Sequence, residues 1–99
     1  MRVRFFANLR NLTGCAEADI PYQETAGALA QSLCELYGDK LRQKFFPPDS
    51  GGVKSTEAEK ISHEIIFLIN GRHANHMGGF TALLNPDDRV DIFPALGGG

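Results

Sequence analysis

The three glycines that close the sequence, Gly97, Gly98 and Gly99, are the residues with the clearest chemical potential. Glycine makes up about 7% of an average protein, so three of them together at this position arise by chance on the order of once in 3,000 sequences. Because glycine has no Cβ, such a tail can thread a narrow channel, and a nucleophile can reach the carbonyl carbon of Gly99 from either side. The free carboxyl is ionised at neutral pH, so it becomes an electrophile only after one oxygen is made a leaving group.

Nothing in the sequence supplies that activation. It contains neither a phosphate-binding Gly-x-x-x-x-Gly-Lys loop nor a nucleophile elbow. We therefore expect a carrier or substrate without a catalytic residue or permanently bound cofactor, and ATP would be used by a partner that adenylates Gly99. The alternative is a frayed end, since termini are often disordered, although disorder alone does not select glycine over serine or lysine.

Other residues that could do chemistry have simpler explanations. His73 and His76 lie three positions apart but have no clustered third ligand, so we expect no metal site. Asp87 and Asp88 follow Asn-Pro, which is typical of a turn in which acidic side chains bond nearby backbone amides. The two cysteines, Cys15 and Cys34, lack CxxC spacing and are expected to be buried or half-buried thiols.

Composition excludes several classes of function. The chain has 99 residues, 10 Lys and Arg against 12 Asp and Glu, and no basic stripe of the kind that nucleic-acid binding requires. Its longest apolar run, 65–69, is far shorter than the roughly 20 residues that span a bilayer, and the start resembles no secretory signal. We expect one cytoplasmic domain over residues 1–99, with no nucleic-acid or membrane partner and a flexible tail from about residue 94.

Hydrophobic patterning predicts the elements that must present the tail. Alternation in residues 2–7 predicts a strand with Val3, Phe5 and Ala7 on the core face and Phe6 facing outward. After a turn over 8–14, a second strand is expected near 15–22. The run 64–70 is apolar on both faces and predicts an interior strand ending at an Asn-Gly turn. A last strand over 89–93 directs Asp91 and Phe93 outward.

One main helix is predicted over Ala26–Tyr37, with Thr25 as its N-cap and Gly38 as a left-handed residue at its end. Its core stripe is Leu29, Leu33 and Leu36. Leu41, Phe45 and Phe46 are expected in an irregular segment against the core. Two further stretches are also expected to be irregular, a surface excursion over 47–60 and the segment 72–84.

The order is therefore β-β-α-β-(short β)-β, an α+β roll with one helix across one face of a mixed four- to five-stranded sheet. If the first and last strands are parallel central neighbours, Phe6 and Phe93 emerge side by side on the face that the helix leaves open. Two adjacent outward phenylalanines favour a surface for a partner, whereas isolated ones would be unremarkable.

The closing sequence NPDDRVDIFPALGGG, with this element order and the Asn-Gly turn, resembles the MoaD/ThiS ubiquitin-like sulfur carriers, whose fold is the β-grasp. Asp88, the strand Val90–Phe93, Pro94 and the Gly98-Gly99 pair match the family pattern, and INGRHANHMGGFTALL resembles its archaeal-type small-modifier branch. The chain departs from the pattern where Pro86-Asp87 replaces Asp-Gly, Ala95 replaces a second proline and Gly97 lengthens the glycine run.

The resemblance implies that an E1-like enzyme adenylates Gly99 and that the product becomes a C-terminal thiocarboxylate. In molybdopterin synthase the thiocarboxylate would enter the large catalytic subunit, or an equivalent acceptor protein, and deliver sulfur to a pterin precursor. Phe6 and Phe93 would dock to that subunit. Two other functions are consistent with the residues: a modifier joined through Gly99 to lysines of target proteins, and an interaction module with an inert tail. The acceptor pathway, whether pterin, thiazole, cysteine or tRNA thiolation, is left open by the sequence.

Overall fold

Five short strands form one mixed sheet in a computed structural model that describes residues 1–46, 60–61 and 65–94. The strands are β1 (Arg2–Phe5), β2 (Glu17–Asp19), β3 (Ile65–Ile69), β4 (Arg72–His73) and β5 (Arg89–Pro94). Their spatial order is β2-β1-β5-β3-β4. The predicted excursion over 47–60 lies outside the described residues except for Lys60.

The centre of the sheet joins the two most distant strands of the described chain. β1 and β5 run parallel, with Val3 opposite Val90 and Phe5 opposite Ile92, whereas the other neighbouring pairs are antiparallel. A parallel pair needs a crossover connection, and everything between the two strands supplies it. The predicted parallel adjacency of the first and last strands is confirmed.

Three α-helices occur in the described part of the chain: α1 (Leu9–Thr13), α2 (Ala26–Tyr37) and α3 (Asp39–Phe45). Thr25 caps α2 as predicted, since its hydroxyl oxygen accepts the backbone N–H of Ala28 at 3.1 Å. Gly38 also ends α2 as predicted, at φ +95° and ψ −169°. This ψ lies outside the left-handed helical region because the chain turns directly into α3. Within the described residues, no helix combines the length and apolar character needed to cross a membrane.

The core lies between the helices and one face of the sheet. Val3 and Phe5 of β1 and Val90 and Ile92 of β5 are buried, together with the stripe of α2. Val90 and Ile92 face inward as predicted, and β3 is an interior strand with alternate buried residues. The buried apolar side chains of the strands and α2 are Val3, Phe5, Ile65, Phe67, Ile69, Val90, Ile92, Ala26, Leu29, Ala30, Leu33 and Cys34.

The predicted turn over residues 8–14 is wrong, because α1 occupies most of it. Ala7 follows β1 in a turn, at φ +54°, and is exposed, so the prediction that it lies on the core face is wrong. Leu9, fully buried, takes the place in the core that Ala7 was expected to fill. Gly14 then closes α1 in the left-handed conformation at φ +78°, with its N–H donated to the carbonyl of Arg10.

Two further predictions about the helices are corrected. Leu41 and Phe45 belong to a third helix, α3, in which their i, i+4 spacing places both on one buried face. Leu36, expected in the core, is 59% exposed. The buried stripe of α2 follows Ala26, Ala30 and Leu33, so Leu36 lies at its edge in the last turn.

The two predicted turns form as expected. Asn70 and Gly71 have φ of +53° and +88°, a pair of left-handed residues that joins β3 to β4. The turn over 85–88 is held by Asp88, whose carboxylate accepts the backbone N–H of Asn85 and the side-chain amide of Asn70. Asp88 therefore does turn chemistry, as the sequence indicated. The segment between β4 and β5 contains two 3-10 turns, Ala74–Met77 and Gly79–Thr81.

Candidate functional site

The end of β5, at Pro94, sets the point from which residues 95–99 extend. Pro94 is the last described residue, and its register partner is Ile65 at the start of β3. The glycines on which the predicted chemistry depends, Gly97, Gly98 and Gly99, lie outside the described residues. The structure therefore describes the folded domain from which these glycines would extend.

Phe6 and Phe93 stack beside that end of the sheet. Their ring centroids are 4.2 Å apart and the planes differ by 8°. The contact follows from the parallel register of β1 and β5, since the Phe6 backbone N–H donates to the carbonyl of Ile92 and fixes the two side chains level. Both rings are half-buried. The predicted adjacency on the open face is confirmed.

Asp91, two residues before Phe93 on β5, is a nearly buried carboxylate. It is on the outward face, as predicted, yet only 5% exposed, because two guanidinium groups cover it. Arg4 Nε donates to Oδ1 at 2.7 Å and Arg4 Nη2 to Oδ2 at 3.3 Å, while Arg89 Nε lies 3.4 Å from Oδ2. The hydrogen bonds and charge of Asp91 raise the pKa of Arg4, so the guanidinium stays ionised.

Arg4 connects the ionic and aromatic parts of the site. Its Cζ atom is 5.3 Å from the centroid of Phe6, within the range of a cation–π contact. We call Phe6, Phe93, Arg4, Asp91 and Arg89 the open-face site. Sequence reasoning found the two phenylalanines and missed the three charged residues. The available signal was the alternation itself, which places Arg4 and Asp91 on the outward faces of two neighbouring strands.

The two histidines do not complete a metal centre in the described part of the chain. The rings of His73 and His76 are 6.1 Å apart, and no group of three metal-ligating His, Cys, Asp or Glu side chains occurs among the described residues. His73 Nδ1 accepts the backbone N–H of Asn75 at 3.1 Å. Burial, and to a smaller extent His76, lowers the pKa of His73.

The cysteines are separate free thiols, as predicted: Cys15 is half-buried and Cys34 buried. Burial raises the pKa of the Cys34 thiol, which makes it a poor nucleophile. Cys15 Sγ lies 3.7 Å from the hydroxyl of Tyr37, and burial is the largest cause of the raised pKa of that tyrosine. Neither thiol contacts the open-face site.

A shallow cavity of about 230 Å³ lies at the opposite end of the sheet, beside the Asn70 turn. Its lining includes Met77 and Leu83, the latter 74% exposed. No nucleophile, thiol or ligand cluster lines it, so the cavity provides no chemistry for the tail.

The sequence matches the family model described as the ThiS family over residues 3–99. The chain belongs to the ThiS family. The match spans nearly the whole chain. This ThiS-family protein is therefore one of the small ubiquitin-like carrier and modifier proteins, a group that also contains the archaeal modifiers. No curated protein matched this chain.

Solved structures agree with the family assignment and with the predicted β-grasp fold. The small archaeal modifier protein 1 from Methanosarcina acetivorans is 28% identical, with 99% of this chain and 94% of that one covered and a TM-score of 0.78. CysO from Mycobacterium tuberculosis is 23% identical, with 96% and 98% covered and a TM-score of 0.75, which supports the fold.

A relative has also been solved with a partner protein. The Amycolatopsis orientalis BexX/CysO complex contains a chain 21% identical to this ThiS-family protein, with 99% of this chain and 98% of that one covered and a TM-score of 0.72. A protein of this fold thus assembles with another protein.

Proposed function

We propose that this protein carries sulfur as a thiocarboxylate on Gly99, with molybdopterin synthesis as the favoured destination. Membership of a family of small ubiquitin-like carriers is the single observation that supports the proposal most strongly. The Gly98-Gly99 pair and the open-face site, which lies where β5 delivers the tail, agree with it.

The chemistry proceeds in two balanced steps, both in a partner enzyme. The Gly99 carboxylate attacks the α-phosphorus of ATP and releases pyrophosphate, which leaves an acyl-adenylate. Hydrosulfide then attacks the glycine carbonyl, AMP departs with the C–O bond electrons, and a proton is released. The product is a thiocarboxylate. Loss of AMP drives a step that the ionised carboxylate could not undergo alone.

Phe6 and Phe93 serve this chemistry by docking. A partner that takes Gly99 into its active site must approach the end of β5. Aromatic side chains such as Phe6 and Phe93, which stack and are half-buried there, commonly anchor protein interfaces. In this proposal the same surface is used first by the E1-like enzyme and then by the large synthase subunit or an equivalent acceptor.

The deciding experiment is co-expression with the adenylating enzyme of the same organism and a sulfur source, followed by intact mass measurement. We expect a mass increase of one oxygen-to-sulfur exchange. A matched variant with one extra alanine after Gly99 retains the folded body and should show no exchange. If the wild type keeps its mass although pyrophosphate exchange proves the enzyme active, the carrier proposal is wrong.

A second function is favoured by one specific observation, the 28% identity to small archaeal modifier protein 1 across nearly the whole chain. In that role the ε-amine of a lysine attacks the same acyl-adenylate, AMP leaves, and an isopeptide bond forms. Trypsin cleaves after Arg89, so conjugated lysines would carry the Val90–Gly99 remnant. A proteome in which this remnant is absent, while the free protein is abundant, would exclude the modifier role under the conditions tested.

A further inference from the structure

The open face of the sheet carries an uneven distribution of charge. On the edge strand β2, Glu17 pairs with Arg2 at 3.1 Å and Asp19 pairs with the amine of Met1 at 3.2 Å. These acidic groups are therefore compensated locally. At the centre, Arg4 and Arg89 share the carboxylate of Asp91. Glu17, which lies opposite Arg4 on β2, is already paired with Arg2, so the positive charges on this part of the described face outnumber the negative ones.

That excess charge is held in place beside the aromatic stack. Asp91 uses both carboxylate oxygens to fix the Arg4 guanidinium, which lies against Phe6 with its side chain 41% exposed. Arg4 has three further N–H groups for which no acceptor occurs in the described part of the chain. Asp91 is thus a positioning residue, which keeps a pre-oriented cation at the rim of the apolar patch.

A partner that covers Phe6 and Phe93 must also cover Arg4. Burying a guanidinium without an acceptor is costly, whereas a carboxylate opposite it forms a strong charge-assisted pair. A second copy of this chain would bring the same excess positive charge to the contact, which disfavours self-association through this face. The site therefore selects its partner by charge as well as by apolar contact.

We infer that Arg4, positioned by Asp91 and assisted by Arg89, is a specificity determinant that pairs with a carboxylate of the adenylating enzyme where that enzyme covers Phe6 and Phe93. The inference rests on the proposed function. The tail beyond Pro94 is five residues long and reaches at most about 17 Å, so an enzyme that holds Gly99 in its active site lies against this end of the sheet.

The test is the steady-state kinetics of ATP–pyrophosphate exchange by the adenylating enzyme of the same organism, with the full-length carrier as the varied substrate. The double variant Arg4→Gln/Asp91→Asn removes both charges and keeps a hydrogen-bonded amide pair, so no buried carboxylate is left unpaired. The site keeps one positive charge, on Arg89, so a change in KM reports the loss of the positioned Arg4 and not a change in net charge. We expect KM to rise about tenfold with kcat unchanged.

Two further variants separate recognition from folding. Arg89→Gln leaves the Arg4–Asp91 pair intact and should raise KM by about threefold. Arg42→Gln removes one arginine from α3, on the helical side of the sheet, and should leave KM unchanged. Matching thermal unfolding curves of the double variant and the wild type would assign the change in KM to binding.

The outcomes distinguish this inference from the proposed function. If the wild type is adenylated and the double variant has the same KM, Arg4 is not a specificity determinant and the carrier function stands. If the wild type is never adenylated by an active enzyme, the carrier function fails and the inference with it. If the carrier alone forms a dimer that the double variant abolishes, a second copy occupies the face and the inference is overturned.

Discussion

Phe6 and Phe93 stack across the parallel pair at the centre of the sheet, 87 residues apart in sequence and 4.2 Å apart between ring centroids. Their alignment depends on the strand register, which also places Arg4 opposite Asp91, two residues earlier on each strand. The aromatic and ionic halves of the open-face site are thus products of one strand pairing.

Replacing Phe93 with alanine should weaken docking more than folding. The ring is half-buried and stacked, so we expect a loss of about 1–2 kcal/mol in the free energy of unfolding. Binding to the adenylating enzyme should weaken by about 10- to 100-fold, as for an aromatic anchor at an interface. Chemical denaturation and isothermal titration calorimetry measure the two effects.

The matched control for that variant is Leu83→Ala. Leu83 is 74% exposed at the opposite end of the sheet, so its truncation removes an exposed apolar side chain without touching the stack. We expect unchanged affinity. Equal loss of binding in the two variants would show that the enzyme does not use the Phe6–Phe93 stack.

Gly27→Ala should destabilise the fold although alanine favours helices. A Cβ at Gly27 would lie 3.0 Å from the carbonyl oxygen of Phe80 and 3.2 Å from its Cβ, so α2 and the 3-10 turn must separate. We expect a net loss of about 1 kcal/mol after the gain in helix propensity. Gln31→Ala, an exposed position on the same helix, should change stability by less than about 0.5 kcal/mol. Urea denaturation compares them, and a more stable Gly27→Ala protein would contradict the close approach.

Ala7→Gly should raise the free energy of unfolding, whereas Gly27→Ala should lower it. Ala7 is held at φ +54°, where an L side chain is strained and glycine is not. We expect stabilisation by about 0.5–1 kcal/mol, measured as a higher unfolding midpoint in urea. The same substitution at Ala28, inside α2, should destabilise by about 0.5–1 kcal/mol. If both variants lose stability equally, the positive φ of Ala7 is wrong.

His73 should make stability fall in mild acid. Its pKa is lowered in the folded protein, chiefly by burial, so the unfolded chain takes up the proton first as pH drops below about 6.5. Stability is therefore complete above that pH and declines towards the lower pKa of the folded state. Protonation also removes the Nδ1 acceptor of the Asn75 N–H.

The check is urea denaturation at several pH values for wild type, His73→Gln and His76→Gln. We expect the loss of stability between about pH 7 and pH 5 to be smaller in His73→Gln than in wild type. His76→Gln retains the titrating group and should keep most of the decline. Identical pH profiles of His73→Gln and wild type would rule out His73 as a source.

The sequence predicted the parts of the fold that depend on local pattern. Strict alternation located β1 and β5, Thr25 located the start of α2, and Asn70-Gly71 located the β3–β4 turn. The adjacency of Phe6 and Phe93 was predicted from the strand order, because the two side chains lie side by side when the first and last strands are parallel neighbours. These features rest on periodicity and turn chemistry, which a single sequence displays directly.

The missed features depend on tertiary contact. Leu36 has the residue type and spacing of a core position, but in the last turn of α2 its side chain is 59% exposed. Asp91 reads as a solvent-facing acid until Arg4 and Arg89 are known to cover it. The helix α1 forms because Leu9 finds a place in the core, which no local propensity of its polar neighbours indicates.

The pairing of β1 with β5 also constrains how the molecule comes into being. The N-terminal strand emerges from the ribosome first and has no parallel neighbour until residues 89–94 have been made. Such long-range pairing slows folding and leaves it to follow translation. A polypeptide that lacks β5 therefore lacks the Phe6–Phe93 stack and the ion pairs of Asp91, so the open-face site forms only after residues 89–94 have been made.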